Sequence, residues 1–140
     1  MKAHEPPVSA PQYGRSLRGL GFNLIVKDVT RSVKFAVDVL GATAFFANDV
    51  FAAMKLNGSD FMFHHDSTYR NNPLSGIVAG AEARGIGVEL HIYNCDPDVA
   101  EANARAGGWM VLAGTLDKPH GLRECVILDD EGYCWIASGH

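Results

Sequence analysis

The sequence predicts an α+β fold built from two βαβββ modules within one chain of 140 residues. Two observations support this prediction. The same order of a strand, a capped helix and hairpin-linked strands occurs twice along the chain. The landmarks of the two copies also keep a similar spacing, since Asp28 and Asp96 are 68 positions apart and Gly58 and Gly132 are 74 positions apart.

The first module is predicted at residues 19–66. Alternating apolar residues at 22–26 indicate a strand, and Asp28 and Gly41 are typical of the start and the end of a helix. Strands are predicted on either side of Asn57-Gly58, because this dipeptide is a strong signal for a two-residue hairpin.

The second module is predicted at residues 87–140. Alternation at 88–92 indicates its first strand, Asp96 is placed to cap its helix, and Gly132 supplies a hairpin turn near its end. The connector at 67–86 is polar and Gly-rich, and it is too long for a simple turn. It is either a linker between the modules or a lid.

Residues 1–18 are predicted to be a flexible segment, since they contain three prolines and no apolar periodicity. No apolar run is long enough to span a bilayer, and no hydrophobic leader follows the first residues, so we expect a cytoplasmic protein without a membrane partner. Three cysteines without CxxC spacing indicate neither a disulfide framework nor a zinc knuckle.

Charge is unevenly distributed between the two halves of the chain. Residues 1–70 carry 8 Lys and Arg against 6 Asp and Glu, whereas residues 71–140 carry 4 against 10. A basic surface is the usual mark of a nucleic-acid partner. The acidic second half therefore argues against nucleic-acid binding.

A motif in the last third of the chain resembles a known superfamily. His120-Gly121-Leu122-Arg123-Glu124 is followed by an apolar strand and the turn Asp129-Asp130-Glu131-Gly132. This order is similar to the C-terminal signature of the vicinal oxygen chelate superfamily, which includes glyoxalase I, bleomycin-resistance proteins and extradiol dioxygenases. Asp130 stands where that family usually has Pro. The resemblance implies an open half-barrel around a ligand cavity, the glyoxalase/bleomycin-resistance-like fold, and a homodimer.

The resemblance also implies where a metal would be held. Enzymes of the superfamily use one side chain from the first strand and one from the last strand of each module. Carried over, the last-strand positions are Met62 and Ile136, and the first-strand positions are Gly21 and either Glu89 or Gly87. At most one carboxylate is present, which is too few ligands for a divalent cation. We therefore expect no metal and no other cofactor.

Strand alternation predicts which side chains line the cavity. If the apolar members of each first strand face the helices, the polar members face the ligand. The predicted lining residues are Asn23, Met62, His64, Glu89, His91, Tyr93 and Ile136. His120 and Arg123 are predicted at the cavity mouth, where the planar guanidinium of Arg123 suits an anionic or carbonyl group.

Several of these residues also have a purely structural interpretation. Glu89 can pair with Arg123 or with a lysine on a solvated edge. His91 can be a hydrogen-bonded interior histidine, and Arg123 can pair locally with Glu124. Both interpretations stay open from the sequence alone.

Three functions are consistent with these patterns. The leading hypothesis is metal-independent binding of a small planar or amphipathic organic ligand by a homodimer, as in bleomycin-resistance proteins. The alternative is a glyoxalase-like lyase or isomerase, or a dioxygenase-related enzyme, in which Glu89 or His91 acts as the base. The third is an interaction module whose barrel is filled by its own side chains.

Overall fold

A computed structural model describes residues 6–140 of the chain. The eight strands are β1 (Asn23–Val26), β2 (Thr43–Ala47), β3 (Phe51–Leu56), β4 (Ser59–His65), β5 (Glu89–Tyr93), β6 (Met110–Asp117), β7 (Arg123–Leu128) and β8 (Cys134–Gly139). The α-helices are α1 (Ala10–Ser16), α2 (Val29–Leu40), α3 (Ser75–Val78) and α4 (Pro97–Ala106), and a 3-10 helix spans Asp66–Tyr69. Within residues 6–140, no helix combines the length and the hydropathy needed to cross a bilayer.

The strands form two four-stranded mixed sheets with the same internal order. Sheet A has the order β1-β4-β3-β2, and sheet B has the order β5-β8-β7-β6. In each sheet the first strand pairs in parallel with the last strand, and the other neighbours are antiparallel. The duplicated βαβββ architecture is therefore confirmed, and the two sheets do not close into a barrel.

Local signals explain the boundaries of the two long helices. The Asp28 carboxylate accepts a hydrogen bond from Arg31 N at the start of α2, and Gly41 ends this helix with a φ of 78°. The Asp96 carboxylate caps α4 in the same way, with Pro97 in the first turn. The Asn57-Gly58 hairpin is also confirmed, since both residues adopt the positive φ of a type I′ turn, 48° and 85°.

The N-terminal segment differs from the expectation of no regular structure. Its described part contains α1, which begins with a capping box between Ser9 and Gln12. The Ser9 hydroxyl accepts from Gln12 N, and the Gln12 side chain accepts from Ser9 N. Pro11 lies in the first turn, where a missing N–H costs nothing. Pro11, one of the three prolines on which the prediction of a flexible segment rests, is therefore compatible with the start of a helix.

One hydrophobic core joins the two modules. The Phe35 ring of α2 contacts Trp109, with 5.4 Å between ring centroids, and Phe61 of β4 lies 5.7 Å from Trp135 of β8. Trp135 is completely buried. Because each of these pairs takes one ring from each module, the modules fold against each other rather than as independent units.

Polar groups of the last turn complete the junction between the modules. Glu131 accepts hydrogen bonds from Lys27 N at 2.8 Å and Asp28 N at 3.0 Å. The Tyr133 hydroxyl donates to Ile25 O at 2.9 Å. A buried carboxylate needs such donors to compensate for the loss of water. The turn thus fixes the position of sheet B relative to β1.

The connector at 67–86 is held at both ends. The guanidinium of Arg84 forms a bidentate ion pair with Asp66, with Nη2 and Oδ2 2.8 Å apart, and its Nη1 also donates to Ile25 O at 3.3 Å. The Arg84 side chain is only 2% exposed. The hydrogen bonds from Arg84 hold the pKa of Asp66 below its usual value. The ion pair therefore joins the two ends of the connector, which contains the 3-10 helix and α3.

Candidate functional site

Sheet B carries a cluster of polar side chains on the face turned away from α4. Strand β5 alternates, so that Leu90 and Ile92 pack against the core while Glu89, His91 and Tyr93 point to the other side. The strand pairing places further side chains directly beside them. We call this surface the site face; its members are Glu89, His91, Tyr93, Glu124, Ile136 and Ser138.

His91 is at the centre of the site face. Its Nε2 lies 2.9 Å from Glu89 Oε2, and its Nδ1 lies 3.5 Å from Glu124 Oε2. The imidazole also stacks against the Tyr93 ring, with centroids 5.9 Å apart and an interplanar angle of 19°. A neutral imidazole has a single N–H to offer two carboxylates. His91 is therefore placed to exchange a proton with either neighbour or to offer a hydrogen bond to a ligand.

Glu124 is the buried carboxylate of the cluster, with a side chain only 7% exposed. The Ser138 hydroxyl donates to its Oε2 at 2.6 Å, and His120 Nε2 lies 3.3 Å from its Oε1. The hydrogen bond from Ser138, together with the two nearby histidines, holds the pKa of Glu124 below its usual value despite burial. A charged acceptor is therefore maintained beneath His91 and His120.

Glu124 and Ser138 are absent from the residues predicted as the site. Alternation along β7 contains the necessary signal, because Cys125 and Ile127 are completely buried in the core. Glu124 must then lie on the same face of the sheet as His91. From the sequence, Glu124 is placed before the apolar strand, whereas β7 already begins at Arg123.

Arg123 lies on the opposite face of β7 from Glu124, and not at a cavity mouth. Its guanidinium forms hydrogen bonds at 2.9 and 3.0 Å to Asp98 of α4, and one at 3.1 Å to Asp117 of β6. These carboxylates raise the pKa of Arg123. The Arg123 guanidinium, which is expected from the sequence to bind an anionic ligand, is thus already paired with the carboxylates of Asp98 and Asp117.

The other predicted lining residues lie on sheet A. Asn23 pairs with Met62 across the parallel β1 and β4 strands, and both line a groove of about 320 Å³ that Arg18 also lines. His64 contacts Phe51 and Tyr69, with ring centroids 4.9 and 5.3 Å away, and burial lowers its pKa. Asn23 and Met62 thus line a different groove from the one that Glu89, His91 and Tyr93 line.

Strand pairing also corrects the positions carried over for a metal. Ile136 pairs with His91, and Met62 pairs with Asn23, so the side chains beside the two last-strand positions are those of His91 and Asn23. The four side chains are then an imidazole, an alkyl group, a thioether and an amide. This set does not suit a hard divalent cation. Among residues 6–140, no group of three His, Cys, Asp or Glu side chains is arranged to hold a metal ion.

A groove of about 470 Å³ runs between β5 and the first module. Glu89, His91 and Tyr93 supply the polar wall on β5, and the first module supplies apolar residues such as Phe22 and Phe61 together with the polar Asn57 and Ser59. Asn57 closes one end, because its amide donates to Tyr93 O at 2.7 Å and to Asn94 O at 3.0 Å. A concave, largely apolar surface with a few polar groups is typical of small-molecule sites.

Comparison with known proteins gives information on the fold. Neither a protein-family model nor a curated protein matches the sequence significantly. Solved structures do match. A glyoxalase/bleomycin resistance protein/dioxygenase family enzyme from Burkholderia phytofirmans PsJN has a TM-score of 0.71 and 16% identity, over 85% of this chain and 95% of its own.

Two further structures agree with this match. A glyoxalase-related enzyme from Fulvimarina pelagi has a TM-score of 0.69 and 16% identity, over 89% of both chains. A glyoxalase/bleomycin resistance protein/dioxygenase from Nocardioides has a TM-score of 0.64 and 22% identity, over 92% of this chain and 91% of its own. With the duplicated βαβββ topology, these likenesses show that the chain has the glyoxalase/bleomycin resistance/dioxygenase fold.

Proposed function

We propose that the protein binds a small planar organic molecule in the groove along β5, without a metal. The observation that carries this proposal is the polar wall of Glu89, His91 and Tyr93 above an apolar floor. Flat rings pack well against the stacked His91 and Tyr93 pair. Because the Glu89 carboxylate on this wall is an acceptor, a ligand with N–H or O–H donors is favoured. The similar fold of a glyoxalase/bleomycin resistance protein/dioxygenase from Nocardioides is consistent with a binding role and with an enzymatic one.

An enzymatic role is the second candidate. The 2.9 Å contact between His91 and Glu89 is the arrangement of a general base oriented by a carboxylate. The reaction would be an isomerisation or elimination next to a carbonyl group. Arg123 is not available to stabilise an enolate, because Asp98 and Asp117 occupy its guanidinium. Any stabilising donor would have to come from the site face itself.

The binding proposal is tested with the ligand that co-purifies, identified by native mass spectrometry. Calorimetric titration of this ligand is expected to show affinity reduced roughly tenfold to a hundredfold in His91→Ala and in Glu89→Ala, since each variant removes a hydrogen-bonding group from the wall of the groove. EDTA is expected to leave the affinity unchanged. Turnover of the ligand by the wild type, lost in both variants, would establish the enzyme instead.

The control for these titrations is Glu82→Ala, which removes a carboxylate that is 89% exposed and lies outside the groove. Its affinity is expected to equal that of the wild type. Thermal melts of all variants separate loss of the site from loss of the fold. Unchanged affinity in both His91→Ala and Glu89→Ala would exclude the groove as the binding site.

We further propose that the protein is a two-fold homodimer. Sheet B exposes large apolar side chains on its outer strand β6, where Met110, Leu112 and Leu116 are 58%, 52% and 61% exposed. Unpaired edge strands with apolar side chains are usually covered by a partner. The expected mass by light scattering is about 30 kDa, twice the 15.1 kDa of one chain, and Leu116→Glu is expected to shift it to the monomer. A single-chain mass for the wild type at all concentrations would contradict the dimer.

A cytoplasmic location is part of the same proposal. Cys95, Cys125 and Cys134 are all free. Reducing compartments keep protein thiols in this state. Fractionation of the native host cells would test the location.

A further inference from the structure

Leu20 is the most exposed large apolar residue in the part of the chain that the structure describes, at 93%. A single exposed leucine is common on protein surfaces and by itself indicates nothing. Leu20, however, lines the groove along β5, and it also lines the groove of about 320 Å³ beside Asn23 and Met62. It therefore lies at the boundary between the two grooves.

Glycines flank Leu20 on both sides. Gly19 adopts a φ of 71°, which residues with a side chain rarely adopt. At Gly19 and at Gly21, a Cβ atom would meet no atom of a non-adjacent residue within 4 Å. Among residues 6–140, none forms a backbone hydrogen bond with residues 19–21, which we call the flap. Neither packing nor hydrogen bonding therefore holds the backbone of the flap in one conformation.

The chain is anchored on both sides of the flap. Before it, the Tyr13 ring of α1 stacks on Phe45 of β2, with centroids 5.6 Å apart. After it, the Phe22 carbonyl oxygen accepts a hydrogen bond from Met62 N at 3.1 Å. The Phe22 ring also stacks on Phe61, with centroids 5.3 Å apart and an interplanar angle of 15°. A change of conformation is therefore confined to the few residues between two fixed points, as in the hinged loops that close over binding sites.

An apolar ligand would give the Leu20 side chain a partner. Leu20 lines the groove along β5 from the first module, opposite the wall that contains Glu89, yet it is almost entirely exposed. Closure of the flap over a ligand removes apolar surface of both the leucine and the ligand from water, which is favourable. Without a ligand, the same movement buries less apolar surface. Ligand binding therefore favours the closed flap.

We propose that Leu20 covers the ligand in the groove along β5, and that the flap closes over this groove when the ligand binds. The inference rests on the proposed function, since it concerns the same groove. It also specifies the ligand further. The N–H or O–H donor of the ligand lies towards Glu89, and an apolar edge lies towards Leu20, so the planar molecule is polar on one side only.

The probe is 2-naphthol, a planar molecule with a single O–H donor, and it is titrated into the full chain by calorimetry. Leu20→Ala is expected to reduce the affinity roughly tenfold, because it removes most of the apolar cover. Leu20→Ile keeps the apolar volume and is expected to bind within about twofold of the wild type. The matched control is Leu74→Ala, which shortens a 45% exposed leucine that lines neither groove and is expected to leave the affinity unchanged.

Alkylation of a thiol at position 20 measures closure directly. Leu20→Cys places the thiol where the native side chain is exposed, whereas the native Cys95 and Cys125 are buried. Saturating 2-naphthol is expected to slow its reaction with iodoacetamide at least about fivefold, as for a flap that is closed in most of the complexes. Peptide mass spectrometry counts this thiol separately from Cys134. Leu74→Cys is the control, and its alkylation is expected to be unaffected by 2-naphthol.

The outcomes separate failure of the flap from failure of the groove. If His91→Ala weakens 2-naphthol binding but Leu20→Ala does not, or if bound 2-naphthol leaves alkylation at position 20 unchanged, the flap is overturned and the groove stands. A shift of Leu20→Ala to the 15.1 kDa mass of one chain would assign Leu20 to a contact between copies and would also overturn the flap. No binding of 2-naphthol by the wild type, or binding that neither variant weakens, would count against the groove itself and overturn the flap with it.

Discussion

Replacement of Trp135 by Ala is expected to lower the free energy of unfolding by about 3–5 kcal/mol, the largest effect of any single substitution considered for this protein. Trp135 is the largest side chain that is completely buried, and its ring contacts Phe35 and Phe61 of the first module. Its Nε1 also donates to Asp129 Oδ2 at 2.9 Å. The substitution leaves a cavity at the junction of the modules and removes a donor from a buried carboxylate.

Denaturant titration followed by circular dichroism measures this loss. Trp135→Phe is expected to cost less, because it keeps a ring against Phe61 while it removes the hydrogen bond to Asp129. The control Val99→Ala shortens a side chain of α4 that is 54% exposed, and its cost is expected to stay within about 0.5 kcal/mol. A cost below about 1 kcal/mol for Trp135→Ala would show that the modules are not held together by this core.

Replacement of Arg84 by Ala is expected to cost about 3 kcal/mol. Removing one partner of a buried ion pair typically costs about 3–5 kcal/mol, and the lower end applies because the Asp66 side chain is 35% exposed. The substitution also removes the donor to Ile25 O and releases the two ends of the connector from each other. We therefore expect faster proteolysis within residues 67–86 as well as lower stability.

The loss from Arg84→Ala is expected to depend on pH. Because Arg84 lowers the pKa of Asp66 in the folded protein, the pair contributes its full stability above the unfolded pKa of Asp, about 3.9. This contribution disappears as the pH falls through the lower folded pKa. Arg70→Ala on the same connector is the control, since Arg70 is exposed and forms no ion pair among the described residues. An equal loss at acidic and neutral pH would contradict the role of the Asp66 charge.

Residues close together in the chain allow much of this fold to be predicted. Asp28 and Asp96 cap the two long helices, and Asn57-Gly58 forms the hairpin, because each signal acts through the backbone of its immediate neighbours. Alternation within β5 likewise predicts that Glu89, His91 and Tyr93 share one face. The short helix α1 also starts from a local signal, the capping box of Ser9 and Gln12. The prolines around this capping box led instead to the prediction of a flexible segment.

The candidate site depends more strongly on contacts between distant residues. Whether His91 or Glu89 lies beside Ile136 is decided by the register of two parallel strands that are 45 residues apart in sequence, and only packing of the module sets that register. The same packing turns Arg123 toward Asp98 and leaves Glu124 beneath His91 and His120.

The sequence alone thus determines the elements, their caps and turns, their duplicated order and the alternation within each strand, because these depend on interactions over a few residues. Tertiary structure decides how the site residues are distributed between the two sheets, which faces meet α1, and which charged groups find partners within the chain. Asn23 and Met62 line one groove and His91 lines another, because the core around Trp135 packs the two modules through their helix-facing sides. Burial of apolar surface is non-directional and is summed over the whole chain, so no local pattern specifies its outcome.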